Sequence, residues 1–126
     1  MKLFSAEKAN ALIPVLGPLV DELRAKRVDL AIGLLETDPA LRMAANTGTS
    51  RERRRSRAFT ELKAEIVRLI NRIESHGCVV KDIDLGLLDF PSMREGRPIY
   101  LCWRAGEAEL AHWHGTDESF SDRKIL

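Results

Sequence analysis

His112 and His114 stand two residues apart, and on a strand both imidazoles point to one face, about 7 Å apart. Neutral imidazole is a ligand for zinc and similar divalent transition ions, so the pair predicts half of a metal site. Two donors do not hold an ion. The remaining donors must come from Asp89, Glu107 or Cys102, with Asp84 or a second subunit as further sources. A metal held this way, with a coordination position left open, would activate water, and a nearby carboxylate would take the proton.

Whether Cys102 takes part depends on how its segment, 97–104, pairs with the segment 109–114. With an even-numbered turn, Arg104 pairs with Glu109 and the histidines share a face with Ile99, Leu101 and Trp103. With a three-residue turn, Cys102 faces His112 and Tyr100 faces His114. The Arg104–Glu109 ion pair tips the expectation toward the even register. Cys102 is then a small buried hydrophobe, because a nucleophilic thiol needs a neighbouring base.

Asp89 lies between Leu88 and Phe90, where a buried carboxylate needs a partner. The sequence offers Arg97, Arg104, Arg123, a histidine or a metal. Asp82 and Asp84 alternate with Ile83 and Leu85 and read as the solvated face of a strand. A different chemistry is suggested by Arg51, Arg53, Arg54, Arg55 and Arg57, five arginines in seven residues. Cations at a helix start oppose the helix dipole, so local stability does not explain them. They could meet phosphates, yet no aromatic residues are interleaved for base stacking and no second basic face exists. The run therefore reads as a solvated helix entry, and nucleic acid is not the expected partner. No phosphate-cradling glycine loop, nucleophile elbow or zincin helix is present.

These residues must be positioned by two helices and a sheet. Ser5 is an N-cap candidate, followed by Leu12, Leu16, Leu19 and Leu23 and then by Leu30 and Leu34, which predicts a long helix to about Glu36. Pro14 and Pro18 predict a bend in it. Phe59, Leu62, Ile66, Leu69 and Ile73 repeat at three, four, three and four, a coiled-coil-like seam that Val67 and Ile70 widen. Gly77 is placed to end that helix. After it the period falls to two, with a strand through Ile83, Leu85 and Leu87 that Phe90-Pro91 stops, and a hairpin over 97–114. The expected fold is α+β: a long antiparallel helical hairpin over residues 1–76, with a mobile tip at about 37–50, then a small antiparallel sheet and tail over 77–126. All of it fits one domain of 126 residues.

Charge follows the same division. Of 20 basic and 19 acidic residues, 51–76 hold eight and four, and 77–126 hold six and nine. The acidic excess falls where the candidate ligands lie. The longest apolar run, Ala11–Val20, is too short for a membrane span and is broken by two prolines and a glycine. Glu7 and Lys8 before it, with no cleavage site after it, argue against a signal peptide. Cys78 and Cys102 lack paired spacing and read as reduced thiols of a cytoplasmic protein.

Gly86-Leu87-Leu88-Asp89-Phe90-Pro91, Tyr100-Leu101-Cys102-Trp103-Arg104 with Gly106-Glu107, and Trp113-His114 form an ordered set. With the opening Phe4-Ser5, Glu7 and Ala9-Asn10-Ala11-Leu12-Ile13-Pro14, and with Phe120 and Arg123 near the end, the chain resembles the bacterial domain-of-unknown-function 2203 family over its whole length. That family is uncharacterised, so the resemblance implies a small prokaryotic cytosolic protein and no activity. The wide apolar stripe of the second helix favours an interaction or oligomerisation module, with a homodimer expected and a protein partner as the other occupant. The metal-binding domain, hydrolase-like if an enzyme, is the alternative.

Overall fold

The computed structural model describes residues 2–36 and 50–126. Helix α1 spans Ala6–Glu36 and α2 spans Ser50–Glu74; β1 is Val79–Asp82, β2 Leu87–Arg94, β3 Arg97–Arg104, β4 His112–Gly115 and β5 Lys124–Ile125. A short 3-10 turn covers Phe120–Asp122. The five strands form one antiparallel sheet in the order β1-β2-β3-β4-β5, so the α+β arrangement stands. The expected tip at about 37–50 lies outside the described residues except for Ser50, which opens α2. Among the described residues no helix is long and apolar enough to cross a membrane.

The Ser5 hydroxyl accepts the Lys8 amide at 3.1 Å and starts α1. The helix continues through Pro14 and Pro18. Both prolines are on its exposed side, where water can satisfy the carbonyls they leave without donors. Lys26 pairs with Glu65 at 2.9 Å and Gly33 lies against the Phe59 ring, so the helices run antiparallel. Leu16, Val20 and Leu23 of α1 and Ile66, Leu69 and Ile73 of α2 join Leu88, Phe90, Leu101 and Trp103 in one core.

The sheet departs from the sequence expectation in its strand bounds, its hairpin position and its register. The alternation Ile83-Leu85-Leu87 is not one strand: the Asp82 carboxylate accepts the Leu85 amide at 2.9 Å and turns the chain, and Gly86 sits at φ 65°. A side chain at Gly86 would meet the Ala105 methyl at 2.5 Å, so close strand approach also requires glycine there. Pro91 does not stop β2. Its missing donor faces the side that β1 no longer covers, and there its carbonyl takes the Phe4 amide at 2.8 Å. The tight hairpin lies between β2 and β3, at Glu95-Gly96, whose φ values of 52° and 76° are those a two-residue turn of the primed type needs.

The third departure concerns register. Cys102 pairs with His112 and Tyr100 with His114, which is the odd register and not the one favoured by an Arg104–Glu109 ion pair. Residues 105–111 form a longer connection than a hairpin turn. Asn10 of α1 grips it through Leu110, giving its amide to that carbonyl at 3.1 Å and accepting that N–H at 2.6 Å. The Trp103 indole N–H donates to the Glu107 carbonyl at 3.0 Å from within the same connection.

Candidate functional site

Odd register places Asp89, Cys102 and His112 in one row across β2, β3 and β4, with Tyr100 and His114 in the next row of the same face. The neighbours of these residues along each strand, Leu88, Phe90, Leu101 and Trp103, face the helices. Strand alternation therefore puts the polar set on the face away from the hydrophobic core, yet it is buried there. Asp89 is 3%, Cys102 1% and His114 4% exposed. Arg123 and the 3-10 turn lie beside this face, with Arg123 acting on Cys102 and Asp122 within electrostatic reach of His114.

The ligand atoms of Asp89, Cys102 and His114 all lie within 4.8 Å of one another. Each comes from a different strand, so the cluster exists only in the folded sheet. His114 Nδ1 meets the Gly115 carbonyl at 2.8 Å, and a carbonyl only accepts, so Nδ1 carries a hydrogen. Nε2 then faces both Asp89 oxygens, each at 3.1 Å. In a neutral ring Nε2 is a bare acceptor, and opposite a carboxylate it needs a cation between them, a proton or a metal ion. The Tyr100 ring packs against the imidazole with centroids 5.6 Å apart and helps to fix its plane. Burial pushes the Cys102 thiol up to about 12, and Asp89 adds to this against the opposing pull of Arg123. As a free group it is a poor nucleophile, since reaction needs the thiolate. Cys78, also buried and pushed up to about 12, is part of the core.

Glu107 and His112 form a separate pair at the margin. Their closest approach is 3.6 Å, and His112 Nδ1 is buried with no hydrogen-bond partner among the described residues. Glu107 is gripped by Arg123 Nη1 at 3.0 and 3.1 Å and accepts the Arg104 amide at 2.6 Å. Burial alone would raise its carboxyl; Arg123, the Arg104 amide and His112 outweigh that and hold it below its ordinary value of 4.5. A carboxylate held low stabilises the fold at pH above its unfolded value, and loses that contribution as pH falls through the folded one. Arg123→Ala is therefore expected to cost about 1–2 kcal/mol at neutral pH, with the gap closing as pH falls below the carboxyl's ordinary 4.5 and through its lowered folded value. Urea titrations of both proteins across that range check it; a gap constant with pH would contradict it.

The five metal candidates thus divide into a triad of Asp89, Cys102 and His114 and a flanking pair of His112 and Glu107. Of the partners the sequence offered for Asp89, the structure selects His114. Arg51, Arg53, Arg54, Arg55 and Arg57 lie in the first turns of α2, all exposed, far in sequence from this face and on a different element. Sequence reasoning gave Arg123 no role with Glu107, because the pairing joins two irregular segments 16 residues apart.

The family model described as Uncharacterized conserved protein (DUF2203) matches residues 2–126. No match was found among curated proteins or among solved structures.

Proposed function

The chain belongs to the DUF2203 family, and from that premise we propose that it is a metal-binding domain whose Asp89, Cys102 and His114 hold one divalent transition ion, zinc by donor type. The observation that carries this reading is His114 Nε2 turned onto two carboxylate oxygens while Nδ1 donates to a backbone carbonyl. A backbone partner on the far nitrogen is the usual support of a metal-ligating histidine. The donor set fits: carboxylate, thiolate and imidazole are all zinc ligands, and an ion deprotonates a coordinating thiol that burial otherwise keeps protonated. Three protein donors leave one position for an exogenous ligand, as in zinc sites that polarise water. His112 and Glu107 stand nearby as an acid–base pair.

Elemental analysis of the protein purified without chelator tests this. One zinc or similar ion per chain, falling to none in Cys102→Ala, is the expected result. No stoichiometric metal, together with a melting temperature unmoved by added zinc, would contradict it.

A second reading, self-association, is favoured by exposed apolar side chains on the helices. Val28, Ile32 and Leu35, spaced four and three apart on α1, are 56%, 46% and 87% exposed, and Val67 of α2 is 54% exposed. Such a stripe is the kind of surface a second copy or a partner helix covers. Sedimentation at high concentration giving twice the chain mass supports a homodimer, and a single monomeric species counts against it. Two unpaired buried cysteines and a thiolate site accord with a reducing bacterial cytoplasm.

A further inference from the structure

Asp89, Cys102 and His114 lie on the face of the sheet away from the helices and are nevertheless buried, so another part of the chain must cover them. Residues 116–126 do so. Ile125 of β5 stands opposite His112, so Ile125 and Arg123, two residues before it, project over the same face as the histidines. The Arg123 guanidinium comes within hydrogen-bonding reach of the Cys102 thiol and closes on Glu107 at 3.0 Å. Asp122, beside it, is within electrostatic reach of His114.

The covering segment is held together by its own bonds. At its start the Glu118 carboxylate accepts the Gly115 amide and the Lys124 ammonium, each at 2.7 Å. The Ser119 amide donates to Asp122 at 3.0 Å, and the Arg123 guanidinium lies 4.3 Å from the centre of the Phe120 ring. What ties the segment to the sheet is polar and near the surface. The two-residue β5 pairs with β4, the Leu126 amide donates to the Ala111 carbonyl at 2.9 Å, and Arg123 holds Glu107. Arg104 lies over Phe120, and Lys124 over Trp113. None of the side chains of 116–126 is buried, and none joins the hydrophobic core. A segment with surface bonds and no core contact opens at lower free energy than the whole fold.

We infer that residues 116–126 form a lid, latched by Arg123 on Glu107, that opens as a unit while the core stays folded and gives solvent and its ions access to Asp89, Cys102 and His114. It hinges after Gly115, where β4 ends. Opening breaks the Arg123–Glu107 pair and the short β4–β5 ladder, and leaves the helices and β1–β3 as they are. The opening is a property of the chain alone. That a metal ion passes beneath the lid rests on the metal reading above.

The two cysteines test this in the full, metal-free chain, because Cys102 lies beneath the lid and Cys78 lies in the core. Alkylation by iodoacetamide, followed at each thiol by peptide mass, reads how often each is uncovered. Cys102 is expected to react about tenfold or more faster than Cys78. Its rate should stay nearly flat in urea below the unfolding transition, since lid opening exposes little surface, whereas that of Cys78 should climb steeply. Arg123→Ala, folded by circular dichroism, is expected to speed Cys102 by about tenfold. Cys102 reacting no faster than Cys78, with the same steep urea dependence, would overturn the lid. A Cys102 rate unchanged by Arg123→Ala would overturn the latch and the inference with it. Saturating zinc is expected to slow Cys102 by about tenfold or more. A fast, urea-insensitive Cys102 that zinc does not slow supports the lid and contradicts the metal reading instead.

Discussion

His114→Ala is expected to lose the bound metal and, in metal-free protein, to destabilise the fold by about 3–5 kcal/mol. The cost comes from what the substitution leaves behind. Asp89 is 3% exposed, and His114 is the group that meets both of its oxygens. Without the imidazole a carboxylate remains out of water with no cation beside it, and breaking a buried pair from one side costs far more than the pair contributes. In a chain of this size the melting temperature should fall on the order of 10–20 °C. His114→Leu combined with Asp89→Leu should recover most of the loss, because both polar groups are then gone. Thermal melts of the single and double variants check this. A single variant within 1 kcal/mol of the unaltered protein would show that water reaches Asp89 freely.

Phe90→Ala is expected to destabilise by a similar amount, about 3–5 kcal/mol, through a different cause. Phe90 is fully buried on the helix-facing side, next to Asp89 in sequence but opposite to it in direction, and meets Phe4 edge-on with ring centroids 5.2 Å apart. Removing the ring leaves a cavity beside Phe4 in the core that close packing fills only in part. The two variants separate the faces of the sheet. Phe90→Ala should lower the denaturation midpoint in urea while the folded fraction still carries one metal per chain. Loss of metal from folded Phe90→Ala protein would mean that the core sets the ligand geometry directly.

The helices were legible because their signals are local. Ser5 caps its own helix, and Phe59, Leu62, Ile66, Leu69 and Ile73 advertise one buried stripe within two heptads. The sheet was legible as antiparallel strands but not in its details. Asp82 and Gly86 turned an alternating run into a bend, and Pro91 was accommodated by Phe4, a residue 87 positions away. The Glu95-Gly96 hairpin carried a readable signal, a glycine between two alternating segments, that the larger 97–114 pattern obscured.

The candidate site depended on the part that was hardest to read. Local charge favoured Arg104 opposite Glu109, whereas the register was set by Asn10 holding Leu110 from 100 residues away. A shift of one residue moves every side chain to the other face, and this register puts His112 and His114 on the face where Cys102 already pairs with Asp89. The residue types were visible in the sequence; their division into a buried triad and a flanking pair was not, because it rests on three strands meeting.

The most direct test of the account is the visible and near-ultraviolet spectrum of the protein loaded with cobalt(II). A sulfur-to-cobalt charge-transfer band at one cobalt per chain, absent in Cys102→Ser and with the cobalt itself lost in His114→Ala, is the predicted result. A spectrum of hexa-aquo cobalt, unchanged by either substitution, would contradict a metal site at Asp89, Cys102 and His114.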